Sequence, residues 1–135
     1  MKTALFRPAL WLSVLILISL TACQPGNREA LSNALEKTRQ ELPLSVDPTC
    51  RWTDIRYDES ANSIVYTYEL TEAAAASMID RNLYHLAMVS GLYDSFEPEY
   101  KTLVVKIRPS IRVKFYQKET LLMEDVFTPD EYLPE

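Results

Sequence analysis

Ile111-Arg112-Val113-Lys114-Phe115-Tyr116, then Gln117-Lys118-Glu119, then the return 120–127, is the stretch on which the fold turns. Ile111, Val113 and Phe115 are apolar while Arg112, Lys114 and Tyr116 are polar, the period-two pattern of a strand with one buried face. The polar triplet reverses the chain, so the segment predicts a β-hairpin. Upstream, 51–57 alternates loosely and 63–70 clearly, with Ile64, Tyr66, Tyr68 and Leu70 on one face. Asp58-Glu59-Ser60-Ala61-Asn62 between them has turn composition, which predicts a second hairpin.

Helical spacing fills the rest. Leu31, Ala34, Leu35, Thr38 and Leu42 form an i, i+3, i+4, i+7 stripe behind Asn27 as cap and ahead of Pro43. The Ala-rich run 72–88 follows Thr71 and places Ile79, Leu83, Leu86 and Ala87 on one face. A third helix starts at Glu97-Pro98, carries Tyr100, Leu103, Val104 and Ile107, and stops at Arg108-Pro109. The order α-β-β-α-α-β-β predicts an α+β fold of two layers, a four-stranded antiparallel sheet with helices on one face. The acidic, proline-bounded tail 128–135 is expected to be irregular.

The 135 residues suffice for one domain, and a 47% hydrophobic content suits a packed core. Two glycines exclude a Gly-rich phosphate loop, and one histidine with two cysteines leaves too few ligands for a zinc site. No metal or dissociable cofactor is expected.

The first 22 residues read as an export signal. Lys2 and Arg7 precede an apolar run over 9–20, which is short for a membrane span of ~20 residues. Leu20-Thr21-Ala22-Cys23 then resembles the lipobox of bacterial lipoproteins. That resemblance implies cleavage before Cys23, a diacylglycerol on its thiol and an N-acyl chain on the new amine. It also implies an outer-membrane address on the periplasmic side, since Gln24 stands where Asp would hold the protein in the inner membrane. The expected organisation is a signal peptide 1–22, an anchor and tether 23–27, an α+β domain 28–127 and the tail 128–135. Losing Lys2 and Arg7 leaves 12 basic side chains against 19 acidic ones, a net −7 that argues against nucleic acid. With Cys23 lipidated, Cys50 beside Arg51 has no partner for an intrachain disulfide.

Catalytic material is thin. His85 would need Ser77 or Ser90 and Asp80 or Asp94, and no Gly-x-Ser-x-Gly elbow presents a nucleophile. The chain is therefore read as non-enzymatic. Binding has better material: Arg108, Arg112 and Lys114 form a basic zone, and eight tyrosines supply contact area with a polar tip. The loop holding Leu92, Tyr93 and Phe96 between two helices is the expected contact loop for an envelope protein partner.

Element order adds one comparison. A lipobox-anchored chain of helix, hairpin, helices and hairpin, with Glu97-Pro98 opening the last helix, is similar to the small α/β pilotins of type II secretion. The resemblance implies binding of a terminal segment of the secretin and its delivery to the outer membrane. It covers most of 23–135 and carries over no functional residue except Cys23. Members of that family carry a disulfide between the mid-chain helices and the C-terminal end, whereas the tail here has no cysteine. The expectation is a lipid-anchored, periplasm-facing binding module. A pilotin or assembly factor, a small-ligand carrier with a groove at Leu83, Leu103 and Ile107, and a small hydrolase stand as alternatives.

Overall fold

Strands β1 (Leu44–Asp47), β2 (Cys50–Asp58), β3 (Ser63–Leu70), β4 (Ser110–Gln117) and β5 (Thr120–Phe127) form one sheet in chain order. The computed structural model describes residues 26–76 and 80–134. Signal, lipobox and Cys23 lie outside the described residues, as do Ser77 and Ile79.

Both predicted hairpins are present, β2 with β3 and β4 with β5, each antiparallel. The four-stranded antiparallel sheet is overturned on two counts. β1 adds a fifth, edge strand antiparallel to β2. Its four residues are too few to show a period, and an Asp47 side-chain turn, accepting from the Thr49 N–H at 2.7 Å, joins it to β2. β3 and β4 pair in parallel, Ser63 beside Ser110 and Glu69 beside Tyr116. The chain between them returns through helices to the end where β3 began, and such a return makes the next strand parallel. The sheet is mixed.

Helices α1 (Asn27–Arg39), α2 (Glu72–Ala76), α3 (Arg81–Val89), α4 (Pro98–Ile107) and α5 (Pro129–Tyr132) complete the chain. Gly26 takes the N-cap position of α1 in place of Asn27. The α1 and α4 stripes bury Leu31, Leu35 and Val104, as their spacing predicts. Arg108, left-handed at φ 52, ends α4 ahead of Pro109. The predicted helix 72–88 is instead α2 and α3, restarted by the Asp80 carboxylate capping the Asn82 N–H at 2.7 Å. The restart turns Tyr84 and His85 inward and leaves Leu83 and Leu86 61% and 69% exposed.

The tail is ordered, contrary to expectation. Thr128 and Glu131 form a capping box, with the Thr128 N–H donating to Glu131 Oε2 at 2.9 Å. Tyr132 and Leu133 are buried, and the Tyr132 hydroxyl donates to the Pro109 carbonyl.

Register sorts the helix-facing side into three rows. Tyr57, Ile64, Ile111 and Phe127 form the first; Ile55, Tyr66, Val113 and Asp125 the second; Leu44, Trp52, Tyr68, Phe115 and Met123 the third. The first row lies at the end that gathers the start of α1, the β2–β3 turn, the α4–β4 link and α5. There Asn62 Nδ2 donates to the Ile107 and Arg108 carbonyls at 3.2 and 3.3 Å. Arg108 meets Asp130 at 2.8 Å. The opposite end holds the β1–β2 link, the end of β3 and the β4–β5 turn, with the Thr71 N–H donating to the Thr49 carbonyl at 3.0 Å.

Candidate functional site

The third row is aromatic, and helices cover it only in part. Trp52 stacks on Tyr66 and Tyr68 with ring centroids 5.8 and 6.3 Å apart, and Tyr68 stacks on Phe115 at 5.2 Å. Tyr84, brought in by α3, meets Phe115 edge-on at 5.5 Å. Beside this ladder a groove of about 330 Å³ opens between the sheet and α1 and α4. Trp52, Tyr66, Tyr68 and Tyr100 line its floor, and Glu41 and Glu97 stand at its rim. Tyr100 is held there by hydrogen bonds to Thr38 and to the Ala34 carbonyl.

The groove has a definite chemistry. Trp52 Nε1 already donates to the Asp54 carbonyl at 3.0 Å, so the indole presents its face. Burial pushes the Tyr68 phenol up to about 12 and raises those of Tyr66 and Tyr84 as well, so all three stay neutral. Their hydroxyls have no protein partner among the described residues. Flat apolar walls with a few free hydroxyls suit apolar side chains plus the backbone groups of a docked segment. Both rim carboxylates are exposed, which favours a segment that also carries Lys or Arg.

His85 is clamped rather than poised. Its Nδ1 lies 3.0 Å from both oxygens of Asp125, its Nε2 lies 3.1 Å from Glu131, and its ring stacks on Phe127 at 4.5 Å. Burial pulls the imidazole pKa down, but the bonds to Asp125 and Glu131 outweigh it and hold it above the ordinary 6.5. With both nitrogens engaged, no lone pair is free to accept a proton from a nucleophile. Neither Ser90 nor Asp94 reaches the ring, and Asp80 is spent as a cap. The cluster joins α3, β5 and α5, and sequence reasoning missed Asp125 and Glu131.

The predicted contact residues do not gather. Leu92 and Phe96 are each 7% exposed and belong to the core, which overturns the exposed loop. Ser95 Oγ donates to the Leu92 carbonyl at 2.6 Å, and Phe96 meets Tyr132 edge-on at 6.3 Å. Tyr93 sits half-buried beneath Lys101. Arg112 pairs with Glu124 at 2.9 Å on the open face of the sheet, where Lys114 also lies. Arg108 is held by Asp130, so the basic zone is divided and largely neutralised. Burial, and then Asp47, push the Cys50 thiol up, opposite to an activated thiolate. Leu83 lies exposed on α3, and the grooves described at the sheet and α1 do not include it, Leu103 or Ile107. Among the described residues no His, Cys, Asp and Glu cluster is suited to a metal, and no helix is long and apolar enough to cross a membrane.

No protein-family model and no curated protein sequence matches the chain. Solved structures do. A pilotin from the Vibrio vulnificus type 2 secretion system matches with a TM-score of 0.58 at 12% identity, over 82% of this chain and 96% of its own. The Vibrio cholerae type II secretion system pilotin matches with a TM-score of 0.55 at 11% identity, over 84% and 98%. A Pseudomonas aeruginosa protein described as secreted matches with a TM-score of 0.53 at 17% identity, over 78% and 95%. At these identities the likeness establishes a shared fold.

Proposed function

We propose that this chain is a lipid-anchored assembly factor of the bacterial envelope, of the pilotin kind, which works by binding and not by catalysis. The observation that carries the reading is the fold shared with two type II secretion pilotins across nearly their whole length. The aromatic groove, with its neutral hydroxyls and acidic rim, supplies a surface of the right chemistry for a segment of an envelope protein. Cys23 supplies the anchor, and its acyl chains place the domain on the periplasmic side of the outer membrane. The single histidine, closed on both nitrogens, supports a non-enzymatic role.

The test is genetic and biochemical. Deleting the chain from its host should leave the secretin mislocalised or unassembled, and wild type should restore outer-membrane secretin. Tyr68→Ala should restore it poorly while remaining folded and membrane-bound. Normal secretin assembly in the deletion strain would refute the pilotin reading. Absence of lipid on Cys23, read by intact mass, would refute the anchor.

A further inference from the structure

We propose that the end of the domain gathering the start of α1, the β2–β3 turn and the α4–β4 link rests against lipid headgroups, held there by tether length and not by charge. The inference rests on the anchored reading above. Between Cys23 and Asn27 the chain spans at most ~14 Å even when extended. α1 begins at Asn27 and is fixed from its first turns by Leu31, which is fully buried. The tether therefore joins a rigid body at one defined point.

That point lies at one end of the sheet. Arg28 and Glu29 line a depression with Tyr57 and Glu59, next to the β2–β3 turn, and Asn62 of that turn binds the end of α4. β3 and β4, eight residues each, put the other end ~26 Å away. Bringing the β4–β5 turn to the membrane would require the tether to span roughly that distance, which exceeds its reach. The domain therefore cannot stand on the β4–β5 turn or on the exposed Val46 of β1.

Charge does not supply the seat. Arg28, Lys106 and Arg108 at the near end are offset by Glu29, Asp58 and Glu59, leaving no basic excess for anionic lipid. The groove opens along α1 at Thr38, eleven residues beyond Asn27 and so ~16 Å farther out. A partner segment is met clear of the headgroups.

The test uses the full, lipidated protein in vesicles of phosphatidylethanolamine and phosphatidylglycerol, in a Cys50→Ser background. A fluorophore is placed on Ser60→Cys in the β2–β3 turn or on Lys118→Cys in the β4–β5 turn, and a headgroup-linked quencher is added. The expected result is loss of most emission at position 60 and little at position 118, unchanged between low and high salt. Equal quenching, stronger quenching at 118, or a preference abolished by salt overturns the proposal while leaving the anchor intact. Intact mass and vesicle flotation of the same preparation, against Cys23→Ser, read the anchor separately. An unlipidated, non-floating wild type overturns the anchor reading and this proposal with it.

Discussion

The two ends of the helix-facing sheet surface are built from the same strands yet finish differently. At the near end Ile64, Ile111 and Phe127 are at most 1% exposed, sealed by Leu31, Val104 and Tyr132. At the far end Trp52, Tyr68 and Phe115 are only partly buried, although their side chains point the same way. Ile64, Ile111 and Phe127 are closed off because leaving such side chains wet costs about 1.5–3 kcal/mol each. The Trp52–Tyr68–Phe115 row tolerates partial exposure because ring stacking is kept and its polar groups are few, the Trp52 N–H already bonded to the Asp54 carbonyl. One surface thus holds a sealed core and an open aromatic groove side by side.

Substitutions graded along that surface test the contrast. Phe127→Ala opens a cavity under His85 and should cost about 3–5 kcal/mol in denaturant unfolding. A loss below 1 kcal/mol would mean the near end is not sealed. His85→Ala leaves Asp125, 2% exposed, with the Val126 N–H and the exposed Arg81 at 3.7 Å, and should cost about 2–3 kcal/mol. Tyr68→Ala removes stacking from a half-open site and should cost only about 1–2 kcal/mol. Its larger effect is expected in secretin assembly. Leu86→Gln, on the outer side of α3, should change stability by no more than about 0.5 kcal/mol.

The clamp sharpens the contrast through pH. His85 titrates above its unfolded value of 6.5, so its contribution is full below that pH and is lost as pH rises through the folded value. Glu131 is depressed below 4.5, first by the Thr128 N–H and also by His85, so its contribution is present above 4.5 and fades on acidification. Arg81, 3.7 Å from Asp125, is the remaining charge facing the cluster. Stability from this corner should peak between about 4.5 and 6.5. Chemical unfolding at pH values on either side of 6.5 checks it, and His85→Gln should lose the alkaline slope.

The sequence made local periodicity legible and left pairing hidden. The stripes of α1 and α4 and the alternation at Ile111 and Val113 were readable because each depends only on neighbours in the chain. Parallel pairing of β3 with β4 was not, since alternation fixes a strand's faces but not its partner's direction. The phase of α3 was misread because the aliphatic stripe at Leu83 and Leu86 outweighed Tyr84 and His85, whose partners Phe127 and Asp125 lie far along the chain. The capping box of α5 was written plainly as Thr128-Pro129-Asp130-Glu131, but acidity and prolines read as an irregular tail. The groove was visible only as separate tyrosines, because register alone sets Trp52, Tyr68 and Phe115 abreast.

The position of α5 bears on synthesis. Tyr132 and Leu133 close the near end of the core, and Tyr132 grips the backbone at Pro109, yet these residues are made after every strand. During elongation, at roughly 5–20 residues per second, the first row stays unsealed until the ribosome has passed them. A nascent chain in that condition is easily unravelled. Under the export proposed above, a late seal keeps the passage across the membrane open.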